Sequence, residues 1–138
     1  MSVSPQALER ATRLSFTAGQ IVQEVGFDAD CDIELRAAVV DIIGSDLVDV
    51  DYDEVVDAAL LWFREEDGDL TDALVDAISP LADQGVVWLL TPKPGREGHI
   101  EPEDITDAAQ TAGLRQTSTI SAGENWQGTR LVAPRAKR

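Results

Sequence analysis

The chain has 138 residues, of which 43% are hydrophobic, and its formal net charge is -15 at neutral pH. This length suits one domain with a real core, and no stretch approaches the roughly 18–20 apolar residues of a membrane span. The negative charge disfavours direct binding to nucleic acid or anionic membranes. The single cysteine excludes an internal disulfide, and the N-terminal residues lack the apolar core of a signal peptide. We therefore expect a cytoplasmic protein.

The N-terminal third alternates between helical and strand patterns. Ser4 and Pro5 suit the start of a helix, because serine caps a helix N-terminus and proline is tolerated in its first turn. Asp32 can cap a second helix, and Gly44 suits its C-terminus. In chain order, the pattern predicts a helix from residue 5, a strand at 21–25, a helix at 32–43 and a short strand at 47–50.

The stretch from residue 55 to residue 92 organises the rest of the chain. Two apolar runs, VVDAALLWF and VVWLLTP, flank an amphipathic segment with apolar residues at helical spacing: Leu70, Ala73, Leu74, Ala77, Ile78 and Leu81. Such runs, bounded by turn residues, are typical of strands buried on both faces. The stretch therefore predicts a right-handed βαβ unit whose strands are adjacent and parallel in the middle of a sheet.

The C-terminal part predicts a helix and a hairpin. Pro102 opens a helix that Gly113 ends, and strands at 116–122 and 128–133 enclose a polar loop at 123–127. Residues 1–138 are therefore expected to form one α/β domain. Its architecture is a doubly wound, mostly parallel, Rossmann-like sheet that closes in a C-terminal antiparallel hairpin.

Ligands of doubly wound sheets bind outside the carboxyl ends of the strands, where three loops are expected: 26–31, 64–68 and 91–99. In the first loop, Glu24 and Gly26 resemble the start of a nucleotide-binding turn, but Asp28 stands where a second glycine is needed. Asp49 and Asp51 could bond a ribose, or they could be turn residues. Because a phosphate would meet several carboxylates, we predict no tightly bound cofactor.

No catalytic or metal-binding set is evident. One histidine and one cysteine cannot form a zinc site. The spacing of Asp49, Asp51 and Asp53 resembles a calcium loop, but the required glycine and glutamate are missing from the positions that follow. Cys31 could act as a nucleophile with His99 as its base only if the first and third loops meet.

The acidic residues favour a protein partner with a basic surface. Between residues 24 and 83 there are nineteen acidic residues and only two basic ones, Arg36 and Arg64, so most carboxylates must face water or a partner. Solubility alone also accounts for such a surface. The candidates for partner binding are Lys93 and Arg96, in a loop that could hold an anion, and Trp126, which is expected to be exposed in a polar loop.

Three stretches carry a resemblance to a known family: GQIVQEVGFDADCDIELRAA, the segment from LVDVDYDEVV to TPKPGREGH, and AAQTAGLRQTSTISAGENWQGTRLVAPR. The chain resembles a family of small actinobacterial proteins of unknown function whose layout is similar to the S-adenosylmethionine-dependent methyltransferase fold. The resemblance places the methyltransferase glycine motif on Glu24, Gly26 and Asp28, and the ribose-binding acid on Asp49 or Asp51. It also implies a C-terminal antiparallel hairpin.

Three hypotheses for the function follow from these observations. The favoured one is a non-catalytic, acidic, Rossmann-like module with a regulatory or protein-interaction role. The second is a minimal methyltransferase or another nucleotide-binding enzyme, which rests on fold analogy. The third is an acidic mimic of nucleic acid that occupies a basic protein surface.

Overall fold

The computed structural model describes residues 4–133 as alternating helices and strands. The elements are α1 (Pro5–Arg13), β1 (Val22–Val25), α2 (Ile33–Ile43), β2 (Val56–Trp62), a 3-10 turn (Glu65–Asp67), α3 (Leu70–Ile78), β3 (Leu81–Pro92), α4 (Pro102–Thr111), β4 (Arg115–Ser121) and β5 (Trp126–Val132). None of the helices in this described range is long and apolar enough to cross a membrane.

The five strands form one sheet in the order β1-β2-β3-β5-β4. Strands β1, β2 and β3 are parallel, whereas β5 runs antiparallel to both β3 and β4. The predicted α/β class, the central parallel pair and the C-terminal hairpin are therefore confirmed. The prediction of a single domain covers residues 1–138, and its first three and last five residues lie outside the described range.

Two hydrophobic layers explain why the central strands are apolar over residues 58–62 and 86–90. Side chains alternate across the sheet, so that Leu60 and Trp88 belong to the layer under α1 and α2, while Leu61 and Leu89 belong to the layer under α3 and α4. Because both faces are covered along residues 58–62 and 86–90, the side chains on both faces of these parts of β2 and β3 are apolar.

The helix starts follow the caps expected from the sequence. The Ser4 hydroxyl accepts a hydrogen bond from the amide of Ala7, and the Asp32 carboxylate accepts one from the amide of Leu35. Gly44 ends α2 with φ of 83°, in the left-handed region that glycine adopts at little cost.

Three boundaries differ from the sequence prediction. The strand expected at 47–50 is reduced to one parallel bridge between Val48 and Gln23, because the chain turns immediately afterwards around Asp49. Helix α3 ends at Ile78 instead of reaching Leu81, because Pro80 cannot continue a helix. Strand β3 consequently begins at Leu81, which pairs with Val56.

Residues 44–55 connect α2 to β2 without a helix of their own. In a doubly wound sheet, helical connections normally cover both faces of the strands. Here the short connection leaves the strip of sheet next to β1, on the α3 side, with no helix over it among the described residues.

Candidate functional site

The three loops expected at the carboxyl ends of the strands do meet. Arg64 in the second loop binds Asp30 in the first, and the amide of Glu65 donates to the carbonyl oxygen of Gly98 in the third. The indole of Trp126, at the start of β5, donates to the backbone carbonyl of Asp30 at 3.0 Å. The site is therefore one connected cluster of loops.

Arg64 lies at the centre of this cluster, and only 7% of its surface is exposed. Its Nε and Nη2 donate to the two carboxylate oxygens of Asp30 at 2.9 and 2.6 Å, which is a bidentate pair. Its Nη1 donates to the carbonyl of Gly26 at 2.9 Å and to Asp67 at 3.1 Å, and its Nη2 lies 3.2 Å from the sulfur of Cys31. The guanidinium thus connects the first and second loops from inside.

The pKa values in this cluster follow from these contacts. The hydrogen bonds from Arg64 hold the pKa of Asp30 below its ordinary value. The same pairing raises the pKa of Arg64, which therefore keeps its charge. Burial raises the pKa of the Cys31 thiol to about 11, so this cysteine is a poor nucleophile at neutral pH.

Glu24 and Gly26, two residues of the nucleotide-binding motif, are engaged by the chain itself. Nε of Arg36 donates to both carboxylate oxygens of Glu24 at 2.8 and 2.9 Å, and the indole of Trp62 donates to Oε2 at 3.0 Å. Gly26 has φ of +84°, and a β-carbon there would clash with the carbonyl oxygen of Trp62. The need for glycine at position 26 is therefore explained by packing against the end of β2.

The first loop also uses several of its own amides. The Asp28 carbonyl accepts from the amide of Cys31, the Asp28 amide contacts the Cys31 sulfur at 3.2 Å, and the Asp28 carboxylate accepts from the amide of Ala29 at 2.7 Å. A glycine-rich nucleotide loop offers its amides to the ligand. In this loop, the amides of residues 28, 29 and 31 already have partners.

Asp49 and Asp51, the candidate ribose ligands, are both exposed and lie in a tight turn. The Asp49 carboxylate accepts from the amide of Asp51 at 2.9 Å, and its carbonyl accepts from the side chain of Gln23 and from the amide of Tyr52. The turn interpretation left open by the sequence accounts for both residues.

Trp126 is not exposed, so this prediction from the sequence is wrong. Only 3% of its surface is accessible, because it opens β5 and its ring packs edge-on against Trp62 with a centroid distance of 4.9 Å. The guanidinium carbon of Arg64 lies 5.2 Å from the centre of the Trp126 ring. Trp126 is therefore part of the interior of the loop cluster and offers little surface to a partner.

The third loop is anchored to the hairpin. The Lys93 ammonium donates to the hydroxyl of Ser121 at 2.8 Å, whereas Arg96 is exposed. His99 is bonded through Nδ1 to the carbonyl of Pro92 at 2.9 Å, and its Nε2 lies 3.8 Å from Glu101. No hydrogen bond joins His99 to Cys31 in the described part of the chain.

One cavity opens onto the loop cluster, and a second lies beside α3. The first, of about 600 Å³, lies between the N-terminal ends of α1 and α2 and the hairpin. Its lining includes Asp30, Cys31 and Trp126 of the loop cluster, together with Arg10, Glu34 and Glu124. The other, of about 510 Å³, lies between α3 and the turn after Val48. Neither is lined by Gly26 or Asp49. Within residues 4–133, no cluster of three His, Cys, Asp or Glu side chains could hold a metal ion.

The sequence did not assign Arg64 its role. It stands directly after the apolar run of β2, and it is the only base between Arg36 and Lys93. A single basic residue at the end of a buried strand, within an acidic stretch, could have indicated that Arg64 forms an internal ion pair.

The sheet order and the C-terminal hairpin define a Rossmann-like fold, which is similar to that of methyltransferases. One solved structure with this fold is CalO1, a methyltransferase in calicheamicin biosynthesis, which matches with a TM-score of 0.66 and 12% identity over 94% of this chain and 53% of that one. Another is the pyocyanin biosynthetic protein PhzM, which matches with a TM-score of 0.64 and 14% identity over 93% of this chain and 54% of that one. A methyltransferase from Aquifex aeolicus matches with a TM-score of 0.55 and 15% identity, over 95% of this chain and 94% of that one. At these identities the likeness concerns the fold alone, and the chain spans about half the length of the first two.

The chain belongs to the protein family of unknown function DUF3052, whose model matches residues 11–135. Uncharacterized proteins of Mycobacterium tuberculosis and Mycobacterium bovis are 49% identical to it over 127 residues, which is 92% of this chain and 80% of theirs. The resemblance seen in the sequence, to a family of unknown function with a methyltransferase-like fold, is thereby confirmed.

Proposed function

We propose that this protein is a non-catalytic, methyltransferase-like module that acts by binding another protein. The observation that carries the proposal is the position of Arg64. Its buried guanidinium occupies the crevice at the carboxyl ends of β1 and β2, which is where ligands of doubly wound sheets bind. A side chain of the protein thus takes the place that a cofactor would need.

The surroundings of Arg64 support the same conclusion. Trp126 packs over the guanidinium, and Glu24 is engaged by Arg36 and Trp62. A cofactor would have to displace a bidentate ion pair and a buried tryptophan, and it would then meet the carboxylates of Asp28 and Asp30. Displacing paired and buried groups of this kind costs several kcal/mol, which subtracts from any binding energy.

The charge of the surface favours a basic partner. In the described residues, among the nineteen acids from Glu24 to Asp83, only Glu24, Asp30 and Asp67 form ion pairs, and they do so with Arg36 and Arg64. The remaining carboxylates present a field that attracts cations and speeds encounter with a positively charged protein.

Isothermal titration calorimetry with S-adenosylmethionine and S-adenosylhomocysteine tests the non-catalytic part of the proposal. We expect no saturable binding to the wild-type protein below about 1 mM. The Asp28→Gly variant, which restores the second glycine, should bind no more weakly than the wild type. Micromolar affinity of the wild-type protein for either compound would overturn the proposal.

A further inference from the structure

We infer that the groove between α3 and the turn after Val48 is the docking site for a basic amphipathic helix of a partner protein. This inference rests on the proposed function, for which it names the surface and the chemistry of the partner. The groove has a volume of about 510 Å³, within the range of binding clefts. Its apolar lining consists of Val25, Val50, Tyr52, Ala73, Ala77 and Pro80.

The shape of the groove follows from the connection between α2 and β2. Because residues 44–55 form no helix, the strip of sheet beside β1 has α3 on one side and the turn residues Val50 and Tyr52 on the other. The space left open corresponds to a position that a helix occupies in a sheet covered on both faces. An amphipathic helix supplies the missing cover by placing apolar residues at i, i+3 or i+4, and i+7 into the groove.

The exposure of Val50 indicates that the apolar lining is accessible from solvent. This valine is 64% exposed, although it borders the groove. Tyr52 is half-buried beside it, and Val25 forms part of the floor from β1. A partner that covers Val50 therefore gains apolar burial that the isolated chain does not achieve.

The charges around the groove determine the sign of the partner's charge. Asp76 lines it, Asp72 lies one helical turn away on α3, and Asp49 and Asp51 flank Val50 along the chain. None of these four carboxylates forms an ion pair within residues 4–133. A second copy of this chain, which also carries a charge of -15, would be repelled, whereas lysine and arginine on the rim of a bound helix would be attracted.

A synthetic peptide tests the inference. The probe is a fluorescein-labelled helix of about 14 residues with leucines along one stripe and lysines on the remaining faces. Its control is a peptide of the same composition in an order that forms no stripe. Fluorescence anisotropy with the full chain should show binding of the striped peptide at least about tenfold tighter than that of the control.

Two matched variants separate groove binding from simple attraction. Val50→Asp places a charge in the groove, whereas Val75→Asp adds the same charge at a valine that is 49% exposed and does not line the groove. We expect Val50→Asp to weaken binding of the striped peptide about tenfold or more, and Val75→Asp to leave it within about twofold. Light scattering on each sample reports the oligomeric state.

Several outcomes would overturn the inference. One is that the striped peptide does not bind, another is that both peptides bind equally, and a third is that the two variants bind the striped peptide with equal affinity. A wild-type dimer that Val50→Asp dissociates would also overturn it, because the occupant of the groove would then be a second copy of the chain. Calorimetry with S-adenosylmethionine keeps the two proposals apart. Saturable cofactor binding contradicts the proposed function, whereas a failed peptide experiment without cofactor binding contradicts only the docking site.

Discussion

Replacing Arg64 with alanine should destabilise the protein far more than removing an exposed arginine. The guanidinium makes two bonds to Asp30 and further bonds to Gly26 and Asp67. Breaking a buried ion pair typically costs about 3–5 kcal/mol, largely because the remaining partner stays buried and charged. Here the side chains of Asp30 and Asp67 are 55% and 34% exposed, so water can solvate them after the substitution.

We therefore expect a loss of about 2–3 kcal/mol in the free energy of unfolding for Arg64→Ala. The matched control is Arg13→Ala, which removes an exposed pair with Glu9 one helical turn away and should cost about 0.5 kcal/mol or less. Urea unfolding monitored by tryptophan fluorescence measures both, since Trp62, Trp88 and Trp126 are all buried. A loss for Arg64→Ala no larger than that for Arg13→Ala would refute the structural role assigned to Arg64.

The pH dependence of this difference tests the pairing of Arg64 with Asp30. Because Arg64 lowers the pKa of Asp30 in the folded state, their pairing stabilises the protein above the pKa of an unfolded aspartate, about 3.9, and this contribution is lost as the pH falls through the lower folded value. The difference in free energy of unfolding between the wild type and Arg64→Ala should be largest above about pH 5 and should decrease at lower pH. A difference that stays constant down to about pH 2 would mean that another contact carries the effect.

Four further predictions concern single features. Thr91→Val should raise the free energy of unfolding by about 1 kcal/mol in a urea titration, because the buried Thr91 hydroxyl has no hydrogen-bond partner in the described structure; a loss of stability would contradict this. Gly26→Ala should cost about 1–3 kcal/mol in the same assay, since its positive φ and the Trp62 carbonyl exclude a β-carbon, and an unchanged midpoint would show this argument to be wrong. Cys31, with a pKa raised to about 11, should react with iodoacetamide at pH 8 about a hundredfold more slowly than free cysteine; a rate near that of free cysteine would show the thiol to be accessible. Thermal melts should show stability rising as salt increases from about 10 to about 200 mM, because salt screens repulsion among the unpaired acids, and a fall over that range would refute the expected repulsion.

The framework of the fold could be predicted because its signals are local. The apolar runs of β2 and β3 are long enough to require burial on both faces, and the caps at Ser4, Asp32 and Gly44 mark helix ends within a few residues. The strand expected at 47–50 was less predictable. Its apolar residues fit a strand, but the turn around Asp49 ends the pairing after one bridge.

The candidate site was harder to predict because its contacts join distant parts of the chain. Trp126 reads as exposed within GENWQG, yet its indole bonds to the carbonyl of Asp30, 96 residues away. Arg64 reads as one of two bases in an acidic stretch, and its partner Asp30 is 34 residues distant. Periodicity and turn residues carry no information about such pairs, so the contacts of Arg64 and Trp126 with Asp30 emerge only from the folded structure.

The most direct test of the central claim is a titration of the ¹⁵N-labelled protein with S-adenosylhomocysteine, followed by amide chemical shifts. If Arg64 and Trp126 fill the crevice, the amides of residues 24–31 and of Arg64 should not shift at ligand concentrations up to about 1 mM. Saturable shifts at these amides with micromolar affinity would contradict the account, because they would show that the crevice opens to a methyltransferase ligand.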